Sequence, residues 1–228
     1  MHYYFDHSLL LDSDGDNTAF YYLSKILMRN KIPIGIVDSN DVEELVAKFP
    51  ADVVYFCESK DMATQIHSRG FQVIHCKKSV NKFKYPLVIG FDADGVIFSD
   101  ESEKIYSLAG LAAFFENEKD KVDQTITPGP LNELAKILTD SKLGFYDLVL
   151  ITSRGGSYER ERAAKSFESY GIKFRRTVYV GDPDKTEAFK KEPVDMFFDD
   201  KFKHCETAYN AGAHSCHVYY GISNTLQS

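Results

Sequence analysis

No apolar stretch in this chain approaches the roughly 20 residues a helix needs to span a bilayer. The opening Met1-His2-Tyr3-Tyr4-Phe5-Asp6 lacks the basic start of a secretory leader, so no membrane association is expected. Cysteine is scarce. Cys57, Cys76, Cys205 and Cys216 follow no framework spacing, which excludes a disulfide-stapled fold and points to reduced thiols in a cytoplasm. Positive charge is not in excess either. With 27 basic and 34 acidic residues the net charge is −7, which argues against a general binder of polymeric nucleic acid. A small phosphorylated molecule held by a few local cations remains compatible with it. No CxxC knuckle accompanies the cluster His204-Cys205, His214, Cys216 and His217, so zinc is not expected there. Cys205 reads as helical, Cys216 as packed in a strand, and the histidines as surface or loop residues.

What the chain does contain is Leu87-Val88-Ile89-Gly90-Phe91-Asp92-Ala93-Asp94-Gly95-Val96. Side chains alternate along a strand, so Asp92 and Asp94 project to the same side of extended backbone. Gly95 then lets the chain turn without steric cost. Carboxylates at the carboxyl end of a buried strand sit where open α/β sheets place their chemistry. Such a pair can divide its labour between nucleophile or metal ligand and acid/base.

From residue 86 onward, apolar runs alternate with amphipathic ones. Strands are expected at 87–91, 147–151, 177–180, 196–198 and 216–219, and helices at 103–117, 131–138, 158–170, 185–191 and 202–211. The first of these helices should bury Ile105, Leu108, Leu111, Ala112 and Phe115 on one face. The stretch 116–127 reads as loop, and Pro128-Gly129-Pro130 opens the next helix. Repeated βα units of this kind imply a doubly wound parallel sheet covered on both faces.

An internal repeat organises the rest. Asp41, Glu44, Lys48, Pro50 and Asp52 match Asp184, Glu187, Lys191, Pro193 and Asp195 at one constant offset, which aligns Tyr55 with Phe198. Residues 1–80 are thus expected to be a degenerate, non-catalytic α/β half-repeat, and 81–228 the catalytic domain. On this alignment Val42 stands where the second copy has Lys185, and Phe56 where it has Asp199. Residues 8–11 take the place of 148–151, which leaves the first copy too short for a first strand of its own. Its Asp12-Ser13-Asp14-Gly15-Asp16 run has a misplaced glycine and no closing glutamate for a calcium loop. It reads as a solvated turn capping the helix that starts near Asn17.

Four features follow in order: Asp92-x-Asp94, then Thr152-Ser153-Arg154 after an apolar strand, Lys185 at a helix start, and Asp199-Asp200 after Met196-Phe197-Phe198. Alone, Lys185 reads as a surface lysine and Asp199-Asp200 as a helix start. The ordered set resembles the four motifs of the haloacid dehalogenase-like phosphatases. The flanks Phe98-Ser99-Asp100-Glu101-Ser102-Glu103, Gly129-Pro130-Leu131, Phe197-Phe198-Asp199-Asp200 and Tyr220-Gly221-Ile222 are similar to the cytosolic 5′-nucleotidase type I family, bacterial members included. The family tends to read Asp-Gly-Asp-Ala where this chain has Asp92-Ala93-Asp94-Gly95. A rival fourth motif, Gly181-Asp182, would need Lys165 or Lys173 as its lysine and would leave Asp199-Asp200 idle.

The resemblance implies a Rossmann-like core with a small helical cap inserted at about 99–130. It also implies a Mg²⁺-dependent reaction on a nucleoside 5′-monophosphate. Asp92 would be the nucleophile, and Asp94 the acid/base that also lends its backbone carbonyl to the metal. Thr152 and Lys185 would hold the phosphoryl oxygens, while Asp92, Asp94, Asp199 and Asp200 make up the metal site. Ser153 is expected at the substrate. Arg154, just past the strand, is expected to add a bidentate phosphate contact. Phe98, close to Asp94, is expected beside the base. The alternatives are a phosphatase for a sugar phosphate or similar ester, phosphotransfer to a nucleoside, and a non-catalytic nucleotide sensor. Base preference and oligomeric state are left open.

Overall fold

Short runs of β-branched and aromatic residues form the strands, and capped amphipathic segments form the helices between them. The structure, a computed structural model, describes residues 1–81, 85–181 and 184–224. Its strands are β1 (His2–Asp6), β2 (Ile34–Val37), β3 (Val53–Cys57), β4 (Gln72–Lys77), β5 (Leu87–Phe91), β6 (Tyr146–Thr152), β7 (Arg176–Tyr179), β8 (Met196–Asp199) and β9 (His214–Val218). Its helices are α1 (His7–Leu10), α2 (Ala19–Arg29), α3 (Val42–Lys48), α4 (Lys60–Ser68) and α5 (Glu101–Asp120), then α6 (Asn132–Asp140), α7 (Ser157–Tyr170), α8 (Thr186–Lys191) and α9 (Phe202–Asn210). Asp41 caps α3 by accepting the Glu43 and Glu44 N–H groups, and Ser59 caps α4 at Met62.

Among the described residues the strands form one sheet in the order β2-β1-β3-β4-β9-β8-β5-β6-β7. The fold is α/β and the sheet mostly parallel, but β4 and β9 pair antiparallel. That antiparallel junction within the expected doubly wound sheet has a simple origin. Outward from it run β4-β3-β1-β2 on one side and β9-β8-β5-β6 on the other. The two halves are related by an approximate two-fold axis normal to the sheet.

The register identifies the matching residues. Phe5 lies opposite Phe56 and Ile36, as Phe91 lies opposite Phe198 and Leu150. Phe5 stacks on Phe56 at 4.4 Å between centroids, and Phe91 on Phe198 at 5.0 Å. All four belong to one core on a single face of the sheet, covered by α2, α6 and α7. The opposite face holds two separate cores, one under α3 and α4, the other under α8 and α9.

Set beside the expected repeat, these registers change its details. The first copy has a first strand of its own, β1, and residues 8–10 are helical; Leu11 only bridges to Asn17. Phe56, not Tyr55, matches Phe198, so Cys57 rather than Phe56 stands in the place of Asp199. A shift of one residue would send every side chain to the wrong face, and the loops before the strands absorb the difference. Helix α2 is capped by Thr18, whose side chain accepts the Tyr21 N–H. Asp12 Oδ1 instead accepts its own loop's N–H groups from Asp14 and Asp16 (both 2.9 Å).

The largest departure is α5. It runs through residues expected as loop, and it breaks at Gly110 (φ 80°, ψ −178°). The Ser102 hydroxyl donates to Glu118 Oε1 at 2.7 Å, although 16 residues of straight helix would separate them by about 24 Å. The two limbs therefore fold back on each other as a hairpin. Leu108 (84% exposed), Leu111, Tyr106 and Phe115 consequently face solvent rather than the core. A periodicity computed across a break describes no real face.

Candidate active site

Three strands of the second half end side by side. β5 delivers Asp92, β8 delivers Asp199 and Asp200, and β6 delivers Thr152. The Asp92 N–H donates to the Phe198 carbonyl (2.8 Å), which holds the two acidic strand ends together. Lys185 enters from the start of α8 and is fully buried. Its ammonium donates to Asp199 Oδ2 at 2.6 Å and stands 3.0 Å from Asp92 Oδ2. Asp92, Lys185 and Asp199 thus share one pocket.

The electrostatics follow from burial. Desolvation opposes the Lys185 charge, but Asp199 and Asp92 outweigh it, and the pKa is raised. Burial pushes the Asp92 pKa up, with Lys185 pulling against it. Burial also disfavours the Asp199 charge, yet Lys185 and His204 together hold its pKa well below the ordinary range. His204, in the first turn of α9, puts Nδ1 3.0 Å from Asp199 Oδ2, and the Lys201 N–H donates to Oδ1 (2.8 Å).

Asp200 differs from its neighbour. It is 1% exposed, and neither of its carboxylate oxygens has a hydrogen-bond partner. Burial, Asp199 and Glu103 drive its pKa far upward. Gly95 (φ +71°) lies so close that a Cβ there would strike this carboxylate, which explains a glycine on both conformational and steric grounds.

A buried acid with two orphaned oxygens beside Asp92 is a donor set suited to a hard divalent cation. The atoms of Asp92, Asp199 and His204 also lie within 4.8 Å of one another, a grouping able to hold a metal. Among the described residues it is the one such His/Cys/Asp/Glu group, so His214, Cys216 and His217 form none. The histidines at 204, 214 and 217 are nonetheless buried, contrary to expectation: 214 and 217 lie on β9, interior to the sheet, and His204 on α9 turns in against Asp199.

The Thr152 side chain is 1% exposed, its Oγ1 accepting the Arg154 N–H at 3.4 Å. Ser153 Oγ is buried without a partner. Asp94 remains partly exposed, and Arg154 grips it through two parallel bonds, Nε to Oδ2 at 2.8 Å and Nη2 to Oδ1 at 2.7 Å. The remaining Arg154 N–H groups meet Glu118 Oε2, the Glu159 carbonyl and Ser102 Oγ. With all five N–H groups engaged, Arg154 has none left for a phosphate, and the expected bidentate phosphate contact is corrected accordingly. Phe98 is corrected too. It is fully buried and stacked on Phe167 at 4.5 Å, so its ring is core rather than a platform for a base. The rival Asp182 lies outside the described residues.

Sequence reasoning pointed to the 99–102 loop near Asp94 but missed His204, Glu118 and Arg162. His204 sits five residues after Asp199, a spacing that brings the first turn of a following helix back over the strand end. The other two depend on the hairpin in α5 and had no local signal.

An open α/β sheet with an Asp-x-Asp pair, a buried lysine and further aspartates at its carboxyl edge has the build of a haloacid dehalogenase-like core. A family model described as 5′-nucleotidase matches residues 36–225, and the chain belongs to that family. It is 25% identical over 201 residues to the Homo sapiens protein named cytosolic 5′-nucleotidase 1B, a match that covers 84% of this chain and 30% of that protein. The chain therefore spans under a third of the length of that curated relative. Among solved structures, a chain of the Pnkp1/Rnl/Hen1 complex aligns at 17% identity with a TM-score of 0.38, covering 89% of this chain and 81% of that one. No helix among the described residues is long and apolar enough to cross a membrane.

Proposed function

We propose that this protein removes the 5′-phosphate from nucleoside monophosphates, with Mg²⁺, through an aspartyl-phosphate on Asp92. The observation that carries this reading is the convergence of Asp92, Lys185 and Asp199 within 3.0 Å contacts at the carboxyl edge of the sheet, beside the unpartnered Asp200. A dianionic ester cannot approach that many acids unless further positive charge is present. Mg²⁺ on Asp92, Asp199, Asp200 and the Asp94 carbonyl would supply it and polarise the phosphoryl group. Asp200, with its free oxygens, is the best placed of these side chains, because those of Asp199 are already occupied by Lys185, His204 and the Lys201 N–H.

The chemistry at the protein's own atoms is then simple. A carboxylate oxygen of Asp92 attacks phosphorus as the bond to the ribose 5′-oxygen breaks, and Asp94 protonates that oxygen. Asp94 next takes a proton from a water that attacks phosphorus, releasing phosphate and restoring Asp92. Thr152, Ser153 and Lys185 hold the phosphoryl oxygens while charge moves. Donors of this sort contribute about 2.7–4 kcal/mol each to the barrier reduction. We place the reaction in the cytoplasm, where the four buried cysteines, none in a disulfide, stay reduced.

Phosphate release across the common nucleoside monophosphates, glycerol phosphate and sugar phosphates, with and without Mg²⁺, tests the proposal. Turnover should require the metal and favour nucleotides. A preference for sugar phosphates, or tight nucleotide binding with no turnover of any ester, would overturn it.

A further inference from the structure

Between the cap hairpin and Asp94 runs an unbroken chain of charges. Glu118, in the last turns of α5, is fully buried and lies between two arginines. Its Oε2 accepts Arg154 Nη1 at 2.6 Å and its Oε1 accepts Arg162 Nη1 at 2.8 Å. Oε1 also accepts the Ser102 hydroxyl and the Asn117 amide. Arg162 continues to Glu101 (2.6 Å) at the other end of the hairpin, and both arginine side chains are 1% exposed. At the far end Arg154 holds both oxygens of Asp94, with its guanidinium lying over Phe98 at 5.8 Å. The guanidinium is rigid and planar, so the position of Glu118 dictates the plane in which Arg154 presents its fork. That plane in turn orients the Asp94 carboxyl.

We propose that Glu118 is a positioning residue for Asp94, acting through Arg154, so that the cap hairpin and the acid/base are aligned as one unit. This rests on the reading of Asp94 as the acid that protonates the leaving oxygen. Orientation of that acid matters when the leaving group is a poor one, such as a ribose 5′-alkoxide. It matters little for a nitrophenolate, which departs without a proton. A merely structural role for Glu118 would not separate the two.

The test compares kcat and KM for a nucleoside monophosphate and for para-nitrophenyl phosphate in the wild type, Glu118→Gln and Glu118→Asp. The aspartate variant keeps the charge between the arginines but falls one methylene short, so it reports even where the glutamine variant fails to fold. Nucleotide kcat/KM, which reports formation of the aspartyl-phosphate and not its hydrolysis, should fall about 10- to 100-fold, while kcat/KM for para-nitrophenyl phosphate changes by less than about 3-fold. Equal losses of kcat/KM on both substrates, or no loss on either, would overturn the proposal. A wild type that turns over neither ester would instead remove the reading of Asp94 beneath it.

Discussion

The two halves of the sheet place an aspartate at the same point and surround it differently. Asp6 ends β1 as Asp92 follows β5, each one residue past a phenylalanine stacked on the neighbouring strand. Around Asp92 stand Lys185, Asp199 and His204. Around Asp6 the corresponding positions are Val42, Cys57 and Met62, the last being, like His204, the third residue of its helix. The Tyr55 hydroxyl and the Glu58 N–H (2.7 Å) satisfy the Asp6 carboxylate instead. A shared backbone thus supplies the location, but only one half surrounds it with paired charges. Val42, Cys57 and Met62 pack with Tyr55 into an apolar cluster, whereas Lys185 and Asp199 must hold each other as ions.

Paired substitutions put that difference to the test. Asp92→Asn should lower phosphate release by at least about a thousand-fold, with nucleotide binding largely retained, whereas Asp6→Asn should stay within about 3-fold of wild type. Steady-state assays on both variants decide this, and comparable losses would erase the distinction between the halves. Lys185→Met should abolish turnover and also destabilise the fold by about 3–5 kcal/mol, because it removes the buried ammonium shared by the neighbouring carboxylates of Asp92 and Asp199. Denaturant unfolding measures the second effect.

A smaller effect arises at the junction. His214, on β9, accepts the Ser79 N–H at Nδ1 (3.0 Å) across from the first half, and burial, with help from Lys78, lowers its pKa to about 4. The unfolded chain takes up this proton near its ordinary value of 6.5, so the stability is fully present above that pH. It is lost as pH falls towards about 4, to an extent of about 3 kcal/mol. Urea melts of His214→Gln against wild type between these pH values should show that slope disappear. Least of all, Leu108→Ser on the exposed face of α5 should change stability by no more than about 0.5 kcal/mol in the same melts.

Much of this was legible from residues alone, and for identifiable reasons. β5, β6 and β8 are short apolar runs ending in Asp or Thr, and strand alternation places such ends without knowledge of the fold. The expected repeat was read from Asp41 and Asp184, because caps and loop prolines are local features. Its register was not, since a one-residue slip is invisible in a gapped match but decisive for which face a side chain occupies. Helix α5 misled for another local reason. Nothing in the sequence flags Gly110 as a break rather than a tolerated helix glycine, so Leu108 and Leu111 read as core. Phe98 and Arg154 lay near the right place, but their partners Phe167, Glu118 and Ser102 come from distant segments.

By itself the sequence determined the class of fold, the ordered acidic and basic positions of the second half, and the loss of those groups from the first, because each depends on neighbours a few residues apart. Tertiary structure alone decided which carboxylates are free and which are committed. Asp199 is bound by Lys185 and His204 while Asp200 is left unpartnered, and Arg154 is turned towards Asp94 and the cap. In a buried site the state of a charged group is set by whatever lies within about 4 Å of it. Chain folding, not chain order, selects those neighbours.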